Sequence, residues 1–340
     1  MSYDAFKKWL TKLNKEQHWC LLLVADPDAL ASAMAIRTIL RAKVAKVEIR
    51  YLNTVTRPDN LAMLRYLRIP AQQWDPETST QYTNFGIVDS QPTHNPSFAP
   101  YHYSLVIDHH PLDNISSFLA ADNFVLIRTN FGATSTILAK LLRAQKKRPG
   151  SLLATALLYG IRTDTASFER SGGEEDLRAY HWLYKYANVN LLRRICRSEY
   201  LRDWLPLFAR AFRSIKDCSG NGAYVSLNDV RSADLLVCIA DFFTKVHGLR
   251  WIAVSGLVEK TAVVIFRGDG QRDMGQMANF CFSDVGKGGG HRNLARAEFP
   301  RTMVPENVKP QDFIYERLKC FKPNVHSSGA SGELPVKTDD

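Results

Sequence analysis

Through the first half of the chain, short apolar runs that stop at acidic or polar residues alternate with longer stretches of helical character. Cys20-Leu21-Leu22-Leu23-Val24-Ala25 is a continuous apolar run. Such a run suits a strand buried on both faces of a parallel sheet. Asp26-Pro27-Asp28 ends it, and the Ala-, Leu- and Ile-rich stretch from Ala29 to Ala42 reads as a helix. The alternation repeats. Strands are expected at 47–52, at Phe85–Val88 before Asp89, and at Tyr103–Ile107 before Asp108. Helices are expected at 4–16, 60–67, 135–144 and 152–161. This order predicts an α/β fold with a doubly wound, mainly parallel sheet.

From 175 to 216 the apolar positions fall at helical spacing, which suggests a helical connector. The texture changes after Ala223. Tyr224–Leu227, Trp251–Leu257 and Thr261–Phe266 look like strands, with a helix at 235–246 and a hairpin around Glu259-Lys260. A smaller α+β domain facing the first across a cleft is the expectation. The expected boundaries are 1–200, a linker at 201–220, a second domain at 221–305, a terminal helix at 306–323 and a disordered tail at 324–340.

Composition adds little to this and removes some alternatives. Of 340 residues, 45% are hydrophobic and 23% charged, as in ordinary globular chains, and the length suits two domains. The net charge of +10 favours an anionic partner, but the basic residues are dispersed. The six cysteines include no CxxC pair, so a reduced, cytoplasmic protein is expected. The amino terminus lacks the apolar core of a signal peptide, and no stretch has the ~18–20 apolar residues of a membrane span. A soluble substrate follows.

The acids carry the chemistry. Asp26 and Asp28, Asp89, and Asp108 each follow a different expected strand. In an open parallel sheet those carboxyl ends share one crevice. Asp is common in turns and caps, which accounts for any one of them alone. It does not account for His109 and His110 at the same edge, or for Asp164 within Gly160-Ile161-Arg162-Thr163-Asp164-Thr165. Several carboxylates packed together require a cation. A donor set of carboxylates and imidazole suits Mn²⁺ or a similar ion better than thiolate-bound Zn²⁺.

These residues, in this order, resemble the motifs of the DHH–DHHA1 phosphoesterases. That group includes RecJ-like exonucleases, oligoribonucleases that degrade nanoRNA and also act on pAp, and cyclic-dinucleotide phosphodiesterases. The resemblance covers roughly 18–300. It runs through Asp26-Pro27-Asp28-Ala29-Leu30-Ala31-Ser32, Val88-Asp89-Ser90, Asp108-His109-His110, Gly132-Ala133-Thr134-Ser135-Thr136, Thr163-Asp164-Thr165 and Gly288-Gly289-Gly290-His291. It implies Asp26, Asp28, Asp89, His109 and Asp164 as metal ligands, with Asp89 bridging two ions roughly 3.5–4 Å apart. It implies that Asp108 orients His109 and that His110 contacts the phosphate or protonates the leaving oxygen. Mn²⁺, or else Mg²⁺, is the implied cofactor.

One departure matters. The family's first motif begins with a metal-binding His four positions before its first Asp, and here Leu22 stands there. His18 is about 13 Å further down a strand. A looser second ion, a single ion, or binding without turnover all remain open. Ala31 and Ala166 replace customary glycines. On the substrate side, Gly288, Gly289 and Gly290 can cradle phosphate with backbone amides, and His291 and Arg292 add donors. Arg267 matches a position where the family carries a substrate-binding Arg. The length leaves no room for a further nucleic-acid-binding domain, so long duplexes are not expected. The expected activity is hydrolysis of very short RNA or linear dinucleotides such as pGpG and pApA to mononucleotides. The alternatives are phosphomonoester cleavage of pAp and nucleotide binding without turnover. A homodimer is compatible with all of these.

Overall fold

The computed structural model describes residues 3–169, 173–198 and 200–321. The tail at 324–340, expected to be disordered, lies outside the described residues. The chain divides into two compact units between Tyr200 and Leu201.

The first unit opens with helix α1 (Tyr3–Leu10), β1 (His18–Leu23), α2 (Pro27–Leu40), β2 (Lys46–Tyr51), α3 (Pro58–Tyr66), β3 (Ala71–Gln73), β4 (Asn84–Val88), β5 (Tyr103–Asp108) and β6 (Leu119–Ile127). Helices α4 (Thr134–Ala144), α5 (Ser151–Asp164), α6 (Glu174–Tyr184) and α7 (Val189–Cys196) follow. The six strands form one sheet in the order β3-β2-β1-β4-β5-β6, and every pairing is parallel. This is the α/β architecture expected from the alternating pattern.

Period-two alternation divides the β1 side chains between the two faces of the sheet. Leu21 and Leu23 pack with α1, α2, α4 and α5 in the larger core. Cys20 and Leu22 point into a smaller apolar cluster with Ile87, Phe98, Tyr103 and Val106, covered by loops and short 3₁₀ turns. Leu22 is completely buried there. β6 escapes the apolar-run criterion because Asp122 and Asn123 interrupt it. β3 is too short to register.

In the second unit, α8 (Leu205–Ser214), β7 (Lys216–Cys218), β8 (Gly222–Val230), α9 (Ala233–Phe243), β9 (Trp251–Val258), β10 (Thr261–Gly268), α10 (Met274–Phe282), β11 (Lys287–Gly290), β12 (Leu294–Pro300) and α11 (Pro310–Cys320) follow in order. The sheet order is β11-β12-β10-β9-β8-β7. β8 and β9 are parallel and joined by α9, while the other pairs are antiparallel. β9 and β10 form a hairpin turning at Glu259-Lys260, with Glu259 at φ +55°. One face packs on α10 and α11, the other on α8 and α9. The stretch 201–220, read as a helical linker, contains α8 and the edge strand β7, and so contributes to this unit's sheet.

Candidate metal centre

In the first unit the strand order reverses between β1 and β4, which places a crevice at their carboxyl ends. Each acid reaches it by a different local device. The Asn53 side chain clamps the backbone of Ala25, accepting from its N–H at 2.6 Å and donating to its carbonyl at 3.2 Å. The chain then turns. Asp26 becomes the N-cap of α2 and accepts the Ala29 N–H at 2.8 Å, with Pro27 starting the helix. Asp28, two positions on, is fully buried. Its carboxylate accepts the N–H groups of Thr134 at 2.6 Å and Ser135 at 2.8 Å, at the start of α4. A helix N-terminus is a favourable place for a carboxylate.

Asp89 follows β4 in a left-handed conformation, φ +59°. Asp tolerates that region better than most side chains, though at some cost. The turn brings its carboxylate to the Thr134 hydroxyl, which donates at 2.8 Å. Asp164 closes α5 one turn after Gly160, on the same helix face. A β-carbon on Gly160 would lie 2.9 Å from Asp28 Oδ1 and 2.5 Å from Ser135 Oγ. The glycine therefore lets α5 approach close enough to deliver Asp164.

Donor atoms of Asp28, Asp89, His109 and Asp164 all lie within 4.8 Å of one another. His109 Nδ1 is 3.2 Å from the Phe131 carbonyl, which selects the tautomer with the proton on that nitrogen. Nε2 then faces the acids, 3.1 Å from Asp164 Oδ2 and 3.6 Å from Asp89 Oδ1. Neither approach has hydrogen-bond geometry, and this buried nitrogen has no hydrogen-bond partner. An imidazole nitrogen buried among carboxylates, which a cation would strip of its proton, is a metal ligand's arrangement. The donor set, three carboxylates and one imidazole, fits Mn²⁺ or Mg²⁺ chemistry.

The electrostatics agree. Burial, then the Asp164 charge, pushes Asp26 up to about 6 and Asp28 up to about 7. Burial and the charges of Asp28, Asp26 and Asp164 raise Asp89 well above the usual carboxylate range. Burial works to lower His109, but Asp164 and Asp28 outweigh it and raise the imidazole to about 9. Without a cation the site holds protons at neutral pH, and a cation would displace them.

Asp108 differs from the other acids. Burial works against its charge, but hydrogen bonds from His110 and Gln91 hold its carboxyl below the usual range. The sequence resemblance assigned Asp108 to orienting His109. In the structure its Oδ1 instead lies 2.8 Å from His110 Nδ1, and also accepts the His109 backbone N–H at 2.8 Å. The reason is local: the His109 ring turns inward to Phe131, leaving the half-exposed His110 ring beside the carboxylate.

Three supporting residues escaped the sequence reading. Gln91 is completely buried and donates from Nε2 to Asp108 at 2.8 Å and to the Pro111 carbonyl at 2.9 Å, while Oε1 accepts from Asp113 N at 2.9 Å. Asp176, also buried, accepts from Gly132 N at 2.9 Å and Thr136 Oγ1 at 2.5 Å, fixing the turn into α4. His94 stands edge-on to His110, with ring centroids 5.7 Å apart. Only the closeness of Gln91 to Asp89 along the chain hinted at any of these.

The second unit's residues meet at one end of its sheet. Arg267 donates to Asp241 at 2.7 Å and to the Phe266 carbonyl at 3.0 Å, which fixes its guanidinium. Arg292 Nε donates to the Gly270 carbonyl, and Gly268 N to Asn293 O at 2.9 Å, so the two turns are tied together. Gly288, Gly289 and Gly290 are not in an open loop. They form edge strand β11, antiparallel to β12. A β-carbon on Gly288 would lie 2.3 Å from the Ala278 carbonyl oxygen of α10, whereas one on Gly289 would meet nothing within 4 Å. His291 is exposed just beyond the strand.

No family model matches the chain. The uncharacterized protein MJ1633 of Methanocaldococcus jannaschii is 28% identical over 296 residues, covering 86% of this chain and 60% of that protein. The chain thus spans about three-fifths of that relative's length. An exopolyphosphatase-related protein from Bacteroides fragilis superposes with a TM-score of 0.71 at 15% identity, covering 93% of this chain and 94% of that one. RecJ from Thermus thermophilus, in complex with Mn²⁺, gives 0.53 at 12% identity, covering 93% of this chain and 53% of that one. The fold is therefore RecJ-like.

Proposed function

We propose that the chain is a divalent-metal-dependent phosphodiesterase that hydrolyses very short oligoribonucleotides or linear dinucleotides, such as pGpG and pApA, to mononucleotides. The observation that carries this is His109 Nε2, buried without a hydrogen-bond partner among converging carboxylates. Mn²⁺ in the RecJ relative supports the choice of ion. A bound divalent ion supplies Lewis-acid polarisation of the phosphate and a stronger nucleophile at neutral pH.

The protein's own groups do the rest. Asp28, Asp89, His109 and Asp164 hold the cation. Asp108 keeps the proton of His110 on Nδ1, so Nε2 is presented for exchange with solvent or substrate. In its protonated form His110 can give the leaving oxygen its proton. Arg267, His291, Arg292 and the edge strand Gly288–Gly290 supply the groups that recognise a terminal phosphate. Arg267 is pre-set for that role because Asp241 already fixes its guanidinium.

The test is incubation of purified protein with pGpG, pApA and pAp, with and without Mn²⁺, following products by chromatography. Mn²⁺-dependent mononucleotide from the dinucleotides is expected. Product from pAp alone would reassign the enzyme as a phosphomonoesterase. Leu22, apolar and buried where the family carries an imidazole, favours one competing reading: nucleotide binding without turnover. Absence of product from every substrate, with binding retained, would establish that reading.

A further inference from the structure

Metal dependence leaves open how many cations the centre holds, and the donors themselves answer it. We propose that the substrate-free protein binds one divalent cation per chain, in the Asp28, Asp89, His109 and Asp164 set, and that Asp26 serves as a helix cap instead of completing a second cation site. The proposal rests on the metal-dependent reading above.

Among the described residues, two groups at this edge are close enough to share an ion. One is Asp28, Asp89, His109 and Asp164, and the other is Asp89, His109 and His110. Both draw on His109. Its Nδ1 is committed to the Phe131 carbonyl at 3.2 Å, so either group must use Nε2. That nitrogen has one lone pair, and one lone pair serves one ion. The two groups are therefore alternatives. The first brings three carboxylates, the second only one. His110 also has its Nδ1 engaged by Asp108 at 2.8 Å. Three anionic oxygens offset a cation's desolvation far better than one, so the first group takes the ion.

Asp26 stands outside both groups. Its Oδ1 caps α2 by accepting the Ala29 N–H at 2.8 Å. Such a bond does not by itself bar ligation, since Asp28 accepts two N–H groups. What Asp26 lacks is a set of partner donors. The chain leading up to it offers no other ligand. Leu22 and Leu23 are apolar and completely buried, with Leu22 in the cluster on the loop-covered face. Cys20 shares that cluster, and burial keeps its thiol protonated. Asn53 spends both ends of its amide on Ala25. His94 accepts the Gln91 N–H through Nδ1 at 3.2 Å. A second ion beside Asp26 would have that carboxylate, a shared Asp89 and no imidazole from β1. His110, whose charge acts on Asp26, is half-exposed and does not join it in a common ligand set.

Titration of the metal-free, full-length chain with Mn²⁺, followed by calorimetry and by electron paramagnetic resonance of the bound ion, tests this without turnover. One ion per chain with an isolated-ion signal is expected. Asp26→Asn can still cap α2. It should leave the stoichiometry at one and the affinity within about threefold. Asp164→Asn, which removes a ligand that accepts no backbone N–H, should weaken binding about tenfold or more. Two ions per chain with a spin-coupled signal, falling to one in Asp26→Asn, would overturn the proposal and leave metal dependence standing. No binding by the unmodified chain would overturn both.

Discussion

The carboxyl edge of the first sheet and the glycine strand of the second carry the two most specific patterns in the chain, and they are built on opposite physics. At the first, side chains converge against their own repulsion: burial and like charge raise Asp26, Asp28 and Asp89 together. At the second, side chains are absent, so that backbones can touch: β11 lies against α10 where a β-carbon on Gly288 would reach the Ala278 carbonyl. The contrast separates two meanings of a signature. The acids cost the metal-free fold stability. Gly288, whatever it does for substrate, is already required by packing.

Asp89→Asn should have the largest effect, and its loss falls on the catalytic side. Turnover with Mn²⁺ is expected to fall about 10³-fold or more. The metal-free protein should gain about 1 kcal/mol in urea unfolding at neutral pH, because Asn, unlike the carboxyl, need not take up a proton to be neutral there, while the oxygen that accepts from Thr134 remains. An enzyme with turnover intact would mean the centre is misassigned. Gly288→Ala does the reverse: it should cost about 2–3 kcal/mol by overpacking α10. Its neighbour Gly289→Ala, with nothing within 4 Å of the added carbon, should cost less than about 0.5 kcal/mol by the same measurement. Equal losses would remove the packing explanation.

Acidity sets the two regions apart as well. Asp26 and Asp28 have folded-state values raised to about 6 and about 7. The folded metal-free protein therefore binds more protons than the unfolded chain between the usual carboxylate range and pH 7, and its stability falls as pH rises through that window. His109, raised to about 9, acts in the same direction: its contribution is complete below its ordinary value and lost as pH rises through 9. Thermal melts of metal-free protein should lose several kcal/mol from pH 5 to pH 8. Mn²⁺ should recover the most at the high end, with protons released on binding. A flat profile would mean the acids are not packed as described. Among the smaller effects, Gln91→Ala should lower stability by about 1–2 kcal/mol and reduce kcat with little change in KM, since it removes the anchor of Asp108. An unchanged kcat would confine Gln91 to a structural role.

Much of the first unit could be read from linear pattern because parallel strands buried on both faces are continuous apolar runs. β1, β4 and β5 show this directly. β6 did not, because Asp122 and Asn123 break its apolar run, and β11 did not, because a strand of Lys and Gly has no apolar period. The site divides in the same way. Asp26, Asp28, Asp89, His109 and Asp164 follow recognisable local punctuation. Gln91 and Asp176 hold the loops by bonds that span 17 to 44 positions, and no local pattern marks them.

Linear pattern was enough for the parallel α/β sheet and for the set of acids and imidazoles at its carboxyl edge, because strand period and turn chemistry are local. How those groups are arranged was decided in three dimensions. Folding turned His109 inward to Phe131 and paired Asp108 with His110. It placed the Asp26 carboxylate at the cap of α2 and pressed the glycine strand onto α10. Each outcome depends on which backbone group arrives within hydrogen-bonding or van der Waals reach, and packing alone decides that.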